Sequence, residues 1–110
     1  MRKITQLAVQ KLFSKENLSK GNTTIEAGYG CSRMYLHGNE IATLINDVLL
    51  IDTCGWFSNT TKERLNGVLD HIGKERIYQK NFNWYLMGKK WNGKEVRIKK
   101  NDWEYVRNQN

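Results

Sequence analysis

The sequence predicts an α+β domain, a curved antiparallel sheet of about six to eight short strands with two helices packed on it. Three observations point there. Residues 23–52 alternate in polarity in short runs broken by tight-turn residues. Residues 3–15 and 60–72 instead carry apolar side chains at helical spacing. After residue 76 the short alternating runs resume, with glycine and asparagine between them. The expected order is α-β-β-β-β-α-β-β-β, in a single domain over residues 1–110.

The first helix begins at Lys3, because Ile4, Leu7, Ala8 and Leu12 fall on one face with Phe13 beside them. The polar stretch that follows and Gly21 place its end near residue 20. Thr23–Ala27 reads as a strand, and Gly28-Tyr29-Gly30 permits the reversal. Cys31–Leu36, Glu40–Ile45 and Val48–Asp52 continue a meander through turns at His37-Gly38-Asn39 and Asn46-Asp47. Residues 54–59 lead into the second helix, where Thr60 and Glu63 have the spacing of a capping box. Leu65, Val68, Leu69 and Ile72 form its apolar stripe, and Gly73 sits where a C-terminal cap belongs. Arg76–Gln79, Asn83–Met87 and Glu95–Lys99 read as further strands, with Asn92-Gly93 as a hairpin signal. Asp102–Val106 reads as a last edge strand and residues 107–110 as a fraying tail.

Hydrophobic residues make up 39% of the chain, enough for one packed core without disulfide staples. No apolar run exceeds four residues, so nothing reads as a membrane span. The N-terminus continues as an amphipathic pattern and does not read as a secretory leader. Two cysteines, Cys31 and Cys54, do not make a disulfide framework; a reduced cytoplasmic setting is expected.

Charge is distributed unevenly. Residues 74–110 hold ten Lys/Arg against four Asp/Glu, a net of +6 in a chain whose total is +7. The same segment contains Trp84, Trp91 and Trp103 with Tyr78, Tyr85, Tyr105 and Phe82. Basic groups interleaved with flat rings suit a phosphate backbone carrying exposed bases. The same alternation also suits a sheet with one packed and one wet face. On the functional reading, Lys89, Lys90, Arg97, Lys99 and Lys100 line a phosphate track and Tyr85 offers a stacking surface. Lys62 and Arg64 add positive charge at a helix N-terminus that could take an anion.

Catalytic and metal chemistry find little support. His37 is explained as a turn residue, and His71 by the dipole at a helix C-terminus. A metal-independent nuclease built on these two histidines and a lysine is the least favoured reading, since no partner geometry is legible. Cys31, His37, Cys54 and His71 include zinc-binding residue types, but no close Cys-x-x-Cys or His-x-x-x-His pair occurs. Gly28-Tyr29-Gly30 lacks the third glycine and following helix of a phosphate-binding fingerprint. No catalytic residue, metal site or cofactor is expected.

Four strings occur together here. They are His37-Gly38-Asn39-x-Ile41-Ala42; Gly55-Trp56 with the later run 60–66; Trp84-Tyr85-Leu86; and Trp91-Asn92-Gly93. Over residues 33–93 the chain resembles a loose group of small tailed-bacteriophage proteins. That resemblance implies a viral or prophage origin and action in a host bacterial cytoplasm, and it supplies no catalytic residue. The expected function is a non-enzymatic phage accessory protein that binds DNA, RNA or a host nucleoprotein complex. The alternative is an inhibitor of a host defence protein, an anti-CRISPR or other counter-defence factor, acting by protein–protein binding. A monomer or a dimer joined at a sheet edge fits either role.

Overall fold

The computed structural model describes residues 2–103. Helix α1 (Lys3–Ser14) is followed by strands β1 (Leu18–Lys20), β2 (Thr23–Gly28), β3 (Cys31–Leu36), β4 (Asn39–Ile45) and β5 (Val48–Ile51). Helix α2 (Asn59–His71) then leads to β6 (Tyr78–Lys80), β7 (Asn83–Leu86), β8 (Lys89–Trp91) and β9 (Val96–Lys99). The α+β class and its antiparallel meander are as expected. The strands form two sheets: one of six in the order β1-β2-β3-β4-β5-β9, and one of three in the order β6-β7-β8.

The two helices cover one face of the six-stranded sheet. Ile25, Met34, Leu36, Ala42, Leu44, Leu49, Ile51 and Ile98 alternate onto the face that meets the helices and are buried. α1 brings Ala8, Val9 and Leu12 to that core, and α2 brings Leu65, Val68 and Leu69. The opposite face carries Arg33, Tyr35, Thr43, Leu50, Arg97 and Lys99 by the same alternation. Between β5 and β9 the chain leaves the sheet, builds α2 and the smaller sheet, and returns antiparallel to β5.

Several boundaries differ from the sequence reading, each for a local reason. The first helix stops at Ser14 rather than near residue 20. Lys15 turns left-handed at φ 58° and donates its N–H to the Lys11 carbonyl, which Glu16 N–H also reaches at 3.0 Å. The Asn17 side chain then accepts from Ala27 N–H at 2.8 Å, which holds the chain against β2, and residues 18–20 pair as an extra strand.

The second helix is capped two residues earlier than expected, at residue 58 rather than 60. Ser58 is the N-cap, and its hydroxyl accepts from Thr61 N–H at 3.1 Å. Glu63 does not reach back to a Thr60 cap; it turns to α1, accepting from Arg2 N–H at 3.0 Å and the Thr5 hydroxyl at 2.5 Å.

The basic third also rearranges. The strand expected over 76–79 forms at 78–80, because Ile77 is held to α2 by Asn66. Lys89 and Lys90, expected in a connection, form β8 behind a Met87-Gly88 turn. Asn92-Gly93 therefore does not close a hairpin between sheet neighbours. It hands the chain from the small sheet to the large one, with Asn92 Oδ1 accepting from Lys94 N–H at 3.0 Å. Residues 100–102 form a 3-10 turn and Trp103 follows it outside any strand, whereas 104–106 of the expected strand and the 107–110 tail lie outside the described residues.

Candidate functional site: an aromatic and basic sheet face

The three-stranded sheet is mounted on α2 through its inner face. Trp84 and Trp91 face each other across β7 and β8 and are buried, as is Leu86. Trp84 meets the Phe57 ring edge-on at 4.9 Å between centroids, and the Lys62 ammonium lies 5.6 Å from its ring centre. Trp91 donates its indole N–H to the Lys94 carbonyl at 2.9 Å. Asn66 clamps the entry to β6, accepting from Ile77 N–H at 2.6 Å and donating to the Ile77 carbonyl at 3.1 Å.

The outer face follows from strand register. Tyr78 lies opposite Tyr85, Lys80 opposite Asn83, and Lys90 opposite Tyr85. Residues paired across strands share a face, so these five side chains form one surface. Tyr78 and Tyr85 stack nearly parallel, with centroids 5.1 Å apart and planes 6° from coplanar. Each ring gives one flat face to its partner. Lys80 and Lys90 flank the pair and are exposed. At the β6–β7 tip, Phe82 is 96% exposed.

The residues singled out from sequence are separated by this arrangement. Tyr85 and Lys90 are brought together. Lys89 pairs with Leu86 and so falls on the other side of the ribbon, exposed at its end. Arg97 and Lys99 project from the open face of the six-stranded sheet, opposite Leu50 and Val48. Lys100 follows them and faces Asp47 at 3.9 Å. The single track expected from the charge count is thus two clusters on two sheets.

Lys62 is committed to Trp84, and Arg64 is not a surface group at all. The Arg64 side chain is 1% exposed and binds Glu63 at 2.5 Å, Thr5 at 2.7 Å, Thr23 at 3.1 Å and Asn22 at 3.3 Å. Burial pulls its guanidinium below the ordinary range, and Glu63 opposes that. For Glu63 itself, burial pushes the carboxyl up, but the Thr5 hydroxyl, Arg2 N–H and Arg64 charge outweigh it, leaving the group below its ordinary value. Arg64 therefore joins α1, α2 and the β1–β2 turn. Its position on α2 faces the core, which the apolar-stripe reading missed because arginine was assumed to be exposed.

Tyr78 and Lys80 on this face, and Phe82 at its tip, were not singled out from the sequence. The signal was present in the pattern Tyr78-x-Lys80, a two-residue gap, then Asn83-x-Tyr85, which is a tight hairpin with one aromatic–basic face. A strand placed two residues early hid it.

A second surface lies at the start of α2. A cavity of about 450 Å³ is lined by His37, Asn39, Ile41, Trp56, Thr60 and neighbouring residues, with Trp56 61% exposed. His37 thus stands at this cavity, while His71 stacks on Phe13 at 4.0 Å. Cys54 lies beyond β5, where burial, Asp52 and Glu40 push its thiol up. Among the described residues no three His, Cys, Asp or Glu side chains gather as a metal site. No helix among them is long and apolar enough to cross a membrane.

A family model described as Kyanoviridae Gp96 protein matches residues 1–107, taking in the N-terminal helix that the sequence resemblance left out. No curated protein and no solved structure matches the chain.

Proposed function

This chain belongs to the Kyanoviridae Gp96 protein family, a phage protein family, and from that premise we propose a phage accessory protein that binds single-stranded nucleic acid on the outer face of β6-β7-β8. The observation that carries the reading is the stacked, outward Tyr78–Tyr85 pair between Lys80 and Lys90. Every base has a π-face, so an aromatic platform binds single strands with little sequence preference, and flanking cations hold the phosphates. The paired rings are ordered before binding, which lowers the entropic cost of stacking a base on them. Arg97, Lys99, Lys100 and Lys89 add positive potential around this platform and raise the encounter rate. The setting is the cytoplasm of the infected bacterium, with no cofactor.

The test is fluorescence anisotropy on labelled single-stranded DNA and RNA at fixed salt. Tyr85→Ala should weaken binding by about tenfold, the effect of one lost base stack. Its melting curve should stay close to wild type, because the ring is only half-buried. Equal affinity for both proteins would remove the platform from the account.

Trp56 and Phe57 favour a second reading, a host protein partner. They are 61% and 50% exposed, Trp56 lines the α2 cavity, and large exposed rings at a concavity are typical protein-binding anchors. On that reading the protein acts as a counter-defence inhibitor, and Trp56→Ala, rather than Tyr85→Ala, abolishes its effect.

A further inference from the structure

The hairpin tips of this chain do not all use the residue their backbone favours. Among the described residues, three two-residue turns that join paired strands hold both central residues at positive φ, the geometry that matches strand twist and favours glycine in second place. Two obey the rule: His37-Gly38, with φ of 51° and 80°, and Met87-Gly88, with 50° and 78°. The third is Asn81-Phe82, with φ of 52° and 66°. A bulky aromatic residue at positive φ is strained, and such strain persists where something else requires the side chain. Packing within the chain does not require it: the Phe82 ring is 96% exposed, and it stacks on none of the described aromatic rings.

The placement of this ring is specific. Phe82 stands between Lys80 and Asn83, the pair that closes the hairpin, and both of these lie on the Tyr78–Tyr85 face. A flexible strand following Lys90, Tyr85 and Lys80 along that face leaves the sheet at the β6–β7 tip, where Phe82 waits.

We propose that Phe82 is a base-stacking residue at the end of the platform. It takes an unpaired nucleobase next to those held at Tyr78 and Tyr85, and so selects single strands over duplex. This rests on the nucleic-acid reading above. The partner chemistry follows from the neighbours: a hydrophobic ring alone would suit any apolar surface, whereas one beside an ordered tyrosine pair and two exposed lysines suits a chain of alternating bases and phosphates. A duplex keeps its bases stacked on one another and offers the ring little.

The variant that tests this is Phe82→Gly, because it removes the ring while giving the turn the residue it prefers. A folding defect is therefore not expected, and the two roles move in opposite directions. The melting temperature should rise by roughly 4–8 °C as the strain is relieved. Affinity for labelled oligothymidylate and oligouridylate should fall by about 5- to 100-fold, the range of one lost stack. The slope of log affinity against log salt should stay at the wild-type value, since no phosphate contact is lost. Phe82→Trp should restore binding without restoring glycine-like stability.

A Phe82→Gly protein that binds single strands as wild type does, while Tyr85→Ala binds weakly, would overturn this inference and leave the platform standing. A lower melting temperature for Phe82→Gly would also overturn it, because the ring would then have a structural task. Wild type failing to bind either oligonucleotide would remove both the platform and this residue's role.

Discussion

Asn66 grips the peptide of Ile77 from both sides, its Oδ1 accepting from the N–H at 2.6 Å and its Nδ2 donating to the carbonyl at 3.1 Å. This side chain on α2 substitutes for a strand neighbour at the point where the small sheet begins. Ile77 is itself buried at 3% exposure, so water cannot readily replace the lost partner. The clamp sets where β6 starts, and through it which side chains share a face with Tyr85.

Asn66→Ala should therefore destabilise the protein by about 2–3 kcal/mol, the cost of buried peptide groups left without partners. Hydrogen exchange should show the amides of β6 and β7 opening faster, with those of β3 and β4 little changed. Uniform acceleration throughout would mean that the clamp does not serve the small sheet in particular.

The cap on α2 offers a test of position. Ser58→Ala should cost about 1 kcal/mol and Thr60→Ala only a small fraction of that, because Ser58 Oγ is the atom that accepts from Thr61 N–H. Thermal melts of the two variants side by side decide it. Thr60→Ala as the more damaging change would return the cap to the position the sequence motif suggested.

Arg64 and Glu63 make the fold sensitive to acid. Glu63 lies below its ordinary value of 4.5 in the folded protein, although burial alone would raise it. A depressed carboxylate contributes stability that is fully present above its unfolded value and is lost as pH falls through the folded one. Melting temperature should accordingly drop as pH falls below 4.5, and Glu63→Gln should show a smaller drop over the same window. The variant should also be less stable at neutral pH, because the buried Arg64 guanidinium then lacks its counter-charge. Parallel melting profiles at all pH values would contradict the pairing.

Gly93 joins the two sheets. It sits at φ 82°, and a Cβ there would come within 2.5 Å of both the Phe57 ring and the Thr53 hydroxyl. Its carbonyl accepts from Thr53 N–H at 2.9 Å and from the Thr53 hydroxyl at 3.0 Å. Gly93→Ala should destabilise by roughly 1–3 kcal/mol, combining backbone strain with a clash. A melt equal to wild type would show that Phe57 moves aside freely.

The α+β class and the meander were legible because polarity alternates cleanly through Cys31–Leu36 and Val48–Ile51, and because Leu65, Val68 and Leu69 mark one helix face. The end of α1 was not, since the left-handed cap falls on Lys15, a residue with no preference for that conformation. The split into two sheets was hidden for a different reason. Asn92-Gly93 looks the same in sequence whether it closes a hairpin or carries the chain between sheets, and only the pairing of Val96–Lys99 with β5 decides. The charge count correctly marked the last third as basic. It could not say which lysines share a face, because that depends on strand register, and a shift of one residue moves each side chain to the other side. Arg64 stayed hidden because its partners Thr5, Asn22 and Thr23 are distant in sequence.

The most direct test of the central claim is a salt titration on one single-stranded oligonucleotide with three proteins: wild type, Lys80→Gln/Lys90→Gln and Arg97→Gln/Lys99→Gln. If the small sheet holds the strand, the Lys80→Gln/Lys90→Gln protein should bind more weakly. Its slope of log affinity against log salt should fall by about 1.4, two phosphate contacts at about 0.7 each. The Arg97→Gln/Lys99→Gln protein should keep a slope close to wild type. A slope lost only in the Arg97→Gln/Lys99→Gln protein would place the strand on the open face of the larger sheet. No wild-type binding near physiological salt would contradict nucleic-acid recognition by this protein.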